Sequence, residues 1–223
     1  MNSPQARVVA VDGPSGSGKS TVSKRLASAL GSAYLDTGAM YRAAALAALR
    51  SGVDLADKDA VAEAVRTAKL ELGTTPGDPF TRLDGEPVDA EIRGAEVTGA
   101  VSAVAGVPAV REHLIAEQRR IIAEAGAGIV VEGRDIAEVV APDADLKVYL
   151  YADELERARR RSAENDTDVS ATAADIARRD AADSKTTKPL EAAAGAVAID
   201  TTHLGIDAVV GRMLALLSNG EIT

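Results

Sequence analysis

Short apolar runs alternate along the chain with stretches in which apolar residues return every three or four positions. The runs Arg7–Asp12, Ala33–Leu35, Gly128–Glu132, Lys147–Tyr151 and Ala196–Asp200 predict strands. Several are rich in β-branched residues and bounded by Gly or Asp, the pattern of strands buried on both faces. Helical spacing follows at Lys19–Leu30, Ala39–Ser51, Asp57–Lys69, Pro108–Ala125, Asp153–Asn165, Thr172–Asp180 and Gly205–Leu217. Val22, Leu26, Ala29 and Leu30 form the apolar stripe of the first helix, and Leu204, Val209, Met213 and Leu216 a similar one at the last. Strands alternating with helices predict an α/β fold, a five-stranded parallel sheet flanked by helices.

One segment breaks the alternation. Leu70–Val88 carries Pro76-Gly77-Asp78-Pro79, then the β-prone Phe80-Thr81-Arg82-Leu83, then Asp84-Gly85 before Glu86-Pro87-Val88. Asp-Gly between short β-prone pieces signals a hairpin. The segment reads as a small antiparallel insertion, either functional or a plain surface excursion.

Composition narrows the picture. The core must be built from Ala, Val, Leu and Ile, because the chain has four Tyr, one Phe and no Trp. The absence of Cys removes disulfides and thiolate metal sites, and fits a reducing, cytoplasmic setting. The start Met1–Gln5 is polar, and no run is long and apolar enough to span a bilayer. A net charge of −9 argues against a nucleic-acid polymer or an anionic membrane as partner, while leaving room for a small anion held by local cations. His113 and His203 have no second ligand at metal-binding spacing.

The chemistry concentrates at three strand ends. After the first strand comes Gly13-Pro14-Ser15-Gly16-Ser17-Gly18-Lys19-Ser20-Thr21, a complete G-x-x-x-x-G-K-[ST] loop between strand and helix. Its glycines permit close backbone approach to phosphates, the amides and helix N-terminus attract them, and Lys19 adds a point charge. Ser20 is placed to hold Mg²⁺. The loop implies binding of a nucleoside triphosphate.

After the second strand stands Asp36-Thr37-Gly38-Ala39-Met40-Tyr41-Arg42. Thr37 or Asp36 suits a helix cap, and Arg42 in the first turn can fork onto a phosphate or lie solvated. Tyr41 is one of only five aromatics in the chain. After the third apolar strand, Glu132-Gly133-Arg134-Asp135 projects charge toward the same cleft, since ligands of open parallel sheets collect at strand carboxyl ends. Arg134 and Asp135 are neighbours on an extended chain and point apart, so separate partners are expected. In Asp153–Arg161, the pairs Asp153/Arg157 and Glu156/Arg160 sit at i,i+4 and read as a self-paired face.

Together these motifs resemble bacterial cytidylate kinases. The resemblance continues through Glu91-Ile92-Arg93, Ser102, Pro108-Ala109-Val110-Arg111-Glu112, Arg179-Asp180, Asp183-Ser184 and Pro189-Leu190, and so covers nearly the whole chain. It implies a single kinase domain of the phosphate-loop type, with core 6–69, 99–152 and 191–219, a nucleoside-monophosphate-binding insertion at 70–98 and a lid at 153–190. It implies phosphoryl transfer from ATP, with Mg²⁺, to CMP or dCMP, by a protein expected to be monomeric. Residues carried over as catalytic are Lys19, Arg42, Arg134 and Arg179. Those carried over for CMP are Thr37, Tyr41, Arg42, Ser102, Arg111, Arg134, Asp135, Arg179 and Asp183, with Ser102, Arg111 and Asp135 on the base.

The lid departs from the family pattern. Where many members read Asp-Ser-x-Arg and then Pro-Leu, this chain has Asp183-Ser184-Lys185-Thr186-Thr187-Lys188-Pro189-Leu190, one residue shorter and without arginine. Lys185 or Lys188 is a candidate replacement, although lysine lacks the planar two-pronged contact. The alternatives are another small acceptor such as UMP, or a nucleotide-dependent switch. The latter lacks the Asn-Lys-x-Asp run by which guanine is read.

Overall fold

The computed structural model describes residues 7–219; the polar start at Met1–Gln5 lies outside them. In chain order the elements are β1 (Val8–Asp12), α1 (Lys19–Leu30), β2 (Ala33–Asp36), α2 (Thr37–Arg50), α3 (Lys58–Thr67), β3 (Leu70–Leu72), β4 (Thr81–Leu83), β5 (Glu86–Pro87), α4 (Ala95–Ala105), α5 (Pro108–Glu124), β6 (Ile129–Gly133), β7 (Leu146–Tyr151), α6 (Glu154–Asn165), α7 (Val169–Asp183), β8 (Val197–Asp200) and α8 (Ile206–Asn219). A 3₁₀ turn at Glu91–Arg93 and a π-turn at Ile136–Val140 complete the set.

All five expected strands join one parallel sheet in the order β2-β6-β1-β7-β8. Register does the functional work. Asp36 lies opposite Glu132, and Asp12 opposite Gly133, so the three motif-bearing strand ends meet at one edge. β1, β6 and β7 are nearly continuous apolar runs because helices cover both faces. On one face α1 and α8 pack Val22, Leu26, Val209 and Met213 against Val9, Val11 and Val148. On the other, α2, α4 and α5 enclose the second core. Ala43, Ala44, Ala45, Ala47 and Ala48 are all buried in α2, small side chains that let neighbours close in on every side.

The segment at Leu70–Val88 forms a three-stranded antiparallel sheet, β3-β4-β5. Asp84 and Gly85 both have positive φ, 53° and 86°, between the paired Leu83 and Glu86, as a two-residue type I′ turn requires.

The main departures from the sequence expectation are one additional helix and two that start or end elsewhere. Helix α4 was not anticipated, although Val97, Val101 and Val104 recur at helical spacing and are buried; its valines and glycine lower its intrinsic propensity, and packing overrides them. Helix α2 begins at Thr37 because the Asp36 carboxylate, not Thr37, accepts from the Ala39 amide at 2.9 Å. Helix α7 extends beyond Thr172–Asp180 at both ends, started by Asp168, which accepts from the Ser170 and Ala171 amides. No helix among the described residues is long and apolar enough to cross a membrane.

Candidate active site

The loop between β1 and α1 is shaped by what its glycines exclude. A Cβ on Gly13 (φ 148°) would stand 2.0 Å from the Leu150 carbonyl oxygen, and one on Gly16 (φ 77°) 2.7 Å from that of Arg157. Only glycine fits either place. The loop is also clamped from outside. Arg157 Nη1 donates to the Ser15 carbonyl at 3.0 Å and Thr201 Oγ1 to that of Ser17 at 3.1 Å. Across a trans peptide the N–H points opposite the carbonyl, so the Gly16 and Gly18 amides turn toward the cleft. The N-cap of α1 is Gly18, without a side-chain cap, which leaves the first-turn amides available to an anion. Lys19 Nζ curls back to the Pro14 carbonyl at 2.8 Å. Burial and the nearby Arg134 charge push its pKa down, with Glu132 opposing.

Glu132, at the end of β6, is 3% exposed and takes hydrogen bonds from two hydroxyls. Tyr34 Oη donates to Oε1, and Ser20 Oγ to Oε2 at 3.0 Å. Burial and the Asp36 charge raise its pKa. Thr37 Oγ1 donates to the Glu132 backbone carbonyl at 2.7 Å, tying the start of α2 to β6 at the cleft floor. Asp12 turns away from the cleft. Its carboxylate accepts from the Ile136 and Ala137 amides, both at 2.8 Å, and so fixes the turn that carries Arg134 and Asp135. Burial lifts its pKa to about 6 even against those two bonds.

Arg134 and Asp135 have the separate partners expected of them. Arg134 reaches the Gly13 carbonyl at 3.4 Å, Asp180 at 3.5 Å and Asp183 at 3.2 Å, the acids both on α7. Asp135 pairs with Arg111 of α5 at 2.5 Å, and the Arg111 guanidinium lies over the Tyr41 ring, 5.9 Å from its centre. Ser102 of α4 donates to Asp183 at 3.1 Å. Arg42 is buried on α2, where one guanidinium nitrogen donates to the Ile92 carbonyl and to Thr98 Oγ1, each at 2.9 Å. Arg179 of α7 lies 3.9 Å from Asp183, and its Nε is buried without a hydrogen-bond partner.

These cations crowd one cleft, lined by Gly16, Lys19, Ser20, Thr37, Tyr41, Arg42, Arg111, Arg134, Asp135, Arg179 and Asp183 among others. Burial, then the like charges of Arg161 and Arg93, lowers Arg42 to about 10. Burial, Arg134 and Arg42 lower Arg179 to about 9. Positive groups held together against their own repulsion define a place for a polyanion.

Of the residues singled out by sequence, Ser15, Gly16, Gly18–Thr21, Thr37, Tyr41, Arg42, Arg111, Arg134, Asp135, Arg179 and Asp183 line this cleft. Gly13, Pro14 and Ser17 are buried outside the lining, and Ser102 touches the cleft only through Asp183. Arg157 departs from the self-paired face that its i,i+4 spacing suggests, and does not pair with Asp153. It turns inward, 5% exposed, onto Ser15 and onto Asp180 at 2.7 Å. A solvated-face reading fails here because the phosphate loop packs against α6. Tyr34 and Asp180 were not singled out. Tyr34 carried a signal as a rare aromatic two residues before Asp36, whereas Asp180 carried none beyond its place beside Arg179.

Fold and cleft together define a phosphotransferase of the phosphate-loop α/β class. The cytidylate kinase family model matches residues 9–219. Among curated proteins, the cytidylate kinase of Rhodococcus opacus (strain B4) is 55% identical over 217 residues, covering 95% of this chain and 94% of that protein. That of Nocardia farcinica (strain IFM 10152) is 53% identical over 212 residues, covering 92% and 91%. An uncharacterized protein from Eubacterium ventriosum ATCC 27560 shares the fold at a TM-score of 0.53 and 12% identity, over 97% of this chain and 99% of that one. The chain belongs to the cytidylate kinase family.

Proposed function

We propose that the chain transfers the γ-phosphoryl group of ATP to CMP and dCMP, giving CDP or dCDP and ADP. A phosphate oxygen of the acceptor forms a bond to Pγ as the bond from Pγ to the bridging oxygen of ADP breaks. Family membership supports the reaction, and one observation carries the assignment of the site. A largely buried Arg111–Asp135 pair beside Tyr41 lines the same cleft as the phosphate loop, together with Arg42, Arg134 and Arg179.

In this reading the loop amides and Lys19 hold the donor phosphates. Arg42, Arg134 and Arg179 bind the CMP phosphate and neutralise the γ-phosphoryl oxygens, which is most of what such a transfer asks of a protein. Asp135 accepts from the cytosine amino group, Arg111 donates to O2 or N3, Ser102 stands with them at the base, and Asp183 sits at the sugar end. Uracil presents an acceptor where cytosine presents a donor, so Asp135 disfavours UMP. Among the described residues no group of three or more His, Cys, Asp or Glu gathers as a metal cage. The exposed Ser20 hydroxyl backed by Glu132 fits a Mg²⁺ held otherwise by phosphate and water. Bound there, the ion supplies charge to the β- and γ-phosphates. We also assign the insertion at 70–98 to acceptor binding and 153–190 to a lid that excludes water, the competing acceptor.

The test is product identification. Incubation with ATP, Mg²⁺ and CMP should give CDP and ADP in equal amounts, with little ADP when CMP is omitted. ADP without CDP overturns the reading.

A further inference from the structure

The arginines of α6 and α7 differ in what holds them. Arg157 is buried on Ser15 and Asp180. Arg160 is saturated by Glu156 at 3.0 Å, Thr201 Oγ1 at 3.1 Å, and the Thr201 and Thr202 carbonyls at 2.6 and 3.2 Å. Arg178 is exposed on Asp175. Arg161 is different. It lines the cleft with Lys19, Arg42, Arg134 and Arg179, and its acid partner is Glu164, 2.9 Å away one turn along the same helix.

The turn after α7 offers no competing cation inside the cleft. Its lining residues are the neutral Thr186 and Thr187. Lys185 is exposed, and Lys188 reaches outward to Glu138 at 3.7 Å. We propose, on the phosphotransfer reading above, that Arg161 is a catalytic residue that leaves Glu164 for the γ-phosphoryl oxygens and supplies the charge that the lid turn lacks. Guanidinium geometry matches phosphoryl oxygens in a way that lysine does not. Glu164 is about half exposed, and an i,i+3 pair of that kind is weak, so a phosphate displaces it readily. Arg42, Arg161 and Arg179 line one volume.

The experiment compares steady-state CDP formation by wild type, Arg161→Ala, Arg161→Lys and the double variant Lys185→Ala/Lys188→Ala. Arg161→Ala should lower kcat roughly 10²–10³-fold, with KM for CMP within about threefold and an unchanged melting temperature. Arg161→Lys should recover only part of the loss. The double lysine variant should keep kcat within about threefold of wild type. An Arg161→Ala protein with kcat within that range, a change confined to KM for CMP, or a large kcat loss in the lysine variant instead would each overturn the inference. Rates are ratios to wild type on CMP. An active wild type with an indifferent Arg161 defeats this inference alone, whereas a wild type that makes no CDP defeats the functional reading.

Discussion

The two halves of the cleft are built on different principles. The proposed donor side is nine consecutive residues, Gly13–Thr21, which on that reading act largely through backbone amides whose direction is set by a strand, a helix and clamped carbonyls. The proposed acceptor side is assembled from α2, α4, α5, α7 and the turn after β6. It acts through side chains that hold one another: Arg111 with Asp135, Arg134 with Asp180 and Asp183, Ser102 with Asp183. The first is a property of local conformation. The second exists only because the sheet order sets β2 and β1 on either side of β6, so that their carboxyl ends meet. A backbone site survives most single substitutions around it and fails when its one charged side chain is lost. A side-chain site fails piecemeal, each loss leaving a partner unpaired.

The largest effect expected from this contrast is at Lys19. Lys19→Ala should fold normally and lose roughly 10³-fold or more in kcat, because the charge strengthens toward the transition state. Near-normal turnover in the folded variant would place the donor elsewhere. On the acceptor side, Asp135→Ala should lower kcat/KM for CMP by roughly 10²-fold and narrow the gap between CMP and UMP, since a base-reading contact is removed. An equal loss on both acceptors would make Asp135 structural.

Between the two halves lies the buried Arg157–Asp180 pair, which joins the phosphate loop to α7. Arg157→Ala leaves the Asp180 carboxylate short of its nearest cation at a cost of about 3 kcal/mol. By calorimetry this should read as a fall in Tm of roughly 6–12 °C. A stable variant would show that the loop does not depend on this clamp.

The last effect, spread over a pH window, concerns Asp12. Its pKa rises from 3.8 to about 6 on folding, so the folded state holds the proton more tightly than the unfolded chain does. The linked stability is fully present below pH 3.8 and is lost as pH rises to about 6, with a slope of up to about 1.4 kcal/mol per unit. Urea unfolding of Asp12→Asn against wild type across this window should remove that slope. A wild type whose stability rises through the window by the same amount as the variant's would contradict the burial argument.

The same contrast explains what could be read from the sequence. The phosphate loop was legible whole, because its chemistry and its glycine requirement are consecutive. β1, β6 and β7 were legible because burial on both faces leaves dense apolar runs, and the edge strands β2 and β8 because short apolar runs there end at Asp36 and Asp200. The hairpin turn announced itself through Asp84-Gly85. Ser102, Arg111 and Asp183, by contrast, carry no local mark of function. Ser102 and Arg111 read as helix-surface residues, Asp183 lies past the end of the expected helix at Asp180, and only the resemblance singled the three out. Arg157 misled because i,i+4 spacing predicts surface pairing, while its actual partners are 142 and 23 residues away. Arg42 was legible as a phosphate candidate, but its seat on the Ile92 carbonyl and Thr98 depends on the unanticipated α4 and the turn before it.

The most direct test of the central claim is the acceptor profile of the wild type, measured as kcat/KM in a coupled ADP-release assay with CMP, dCMP, UMP, AMP and GMP. A cleft that reads cytosine through Asp135 and Arg111 should favour CMP and dCMP over UMP by roughly 10²–10⁵-fold. Comparable kcat/KM for CMP and UMP would contradict it, leaving the phosphate loop intact and the acceptor side misread.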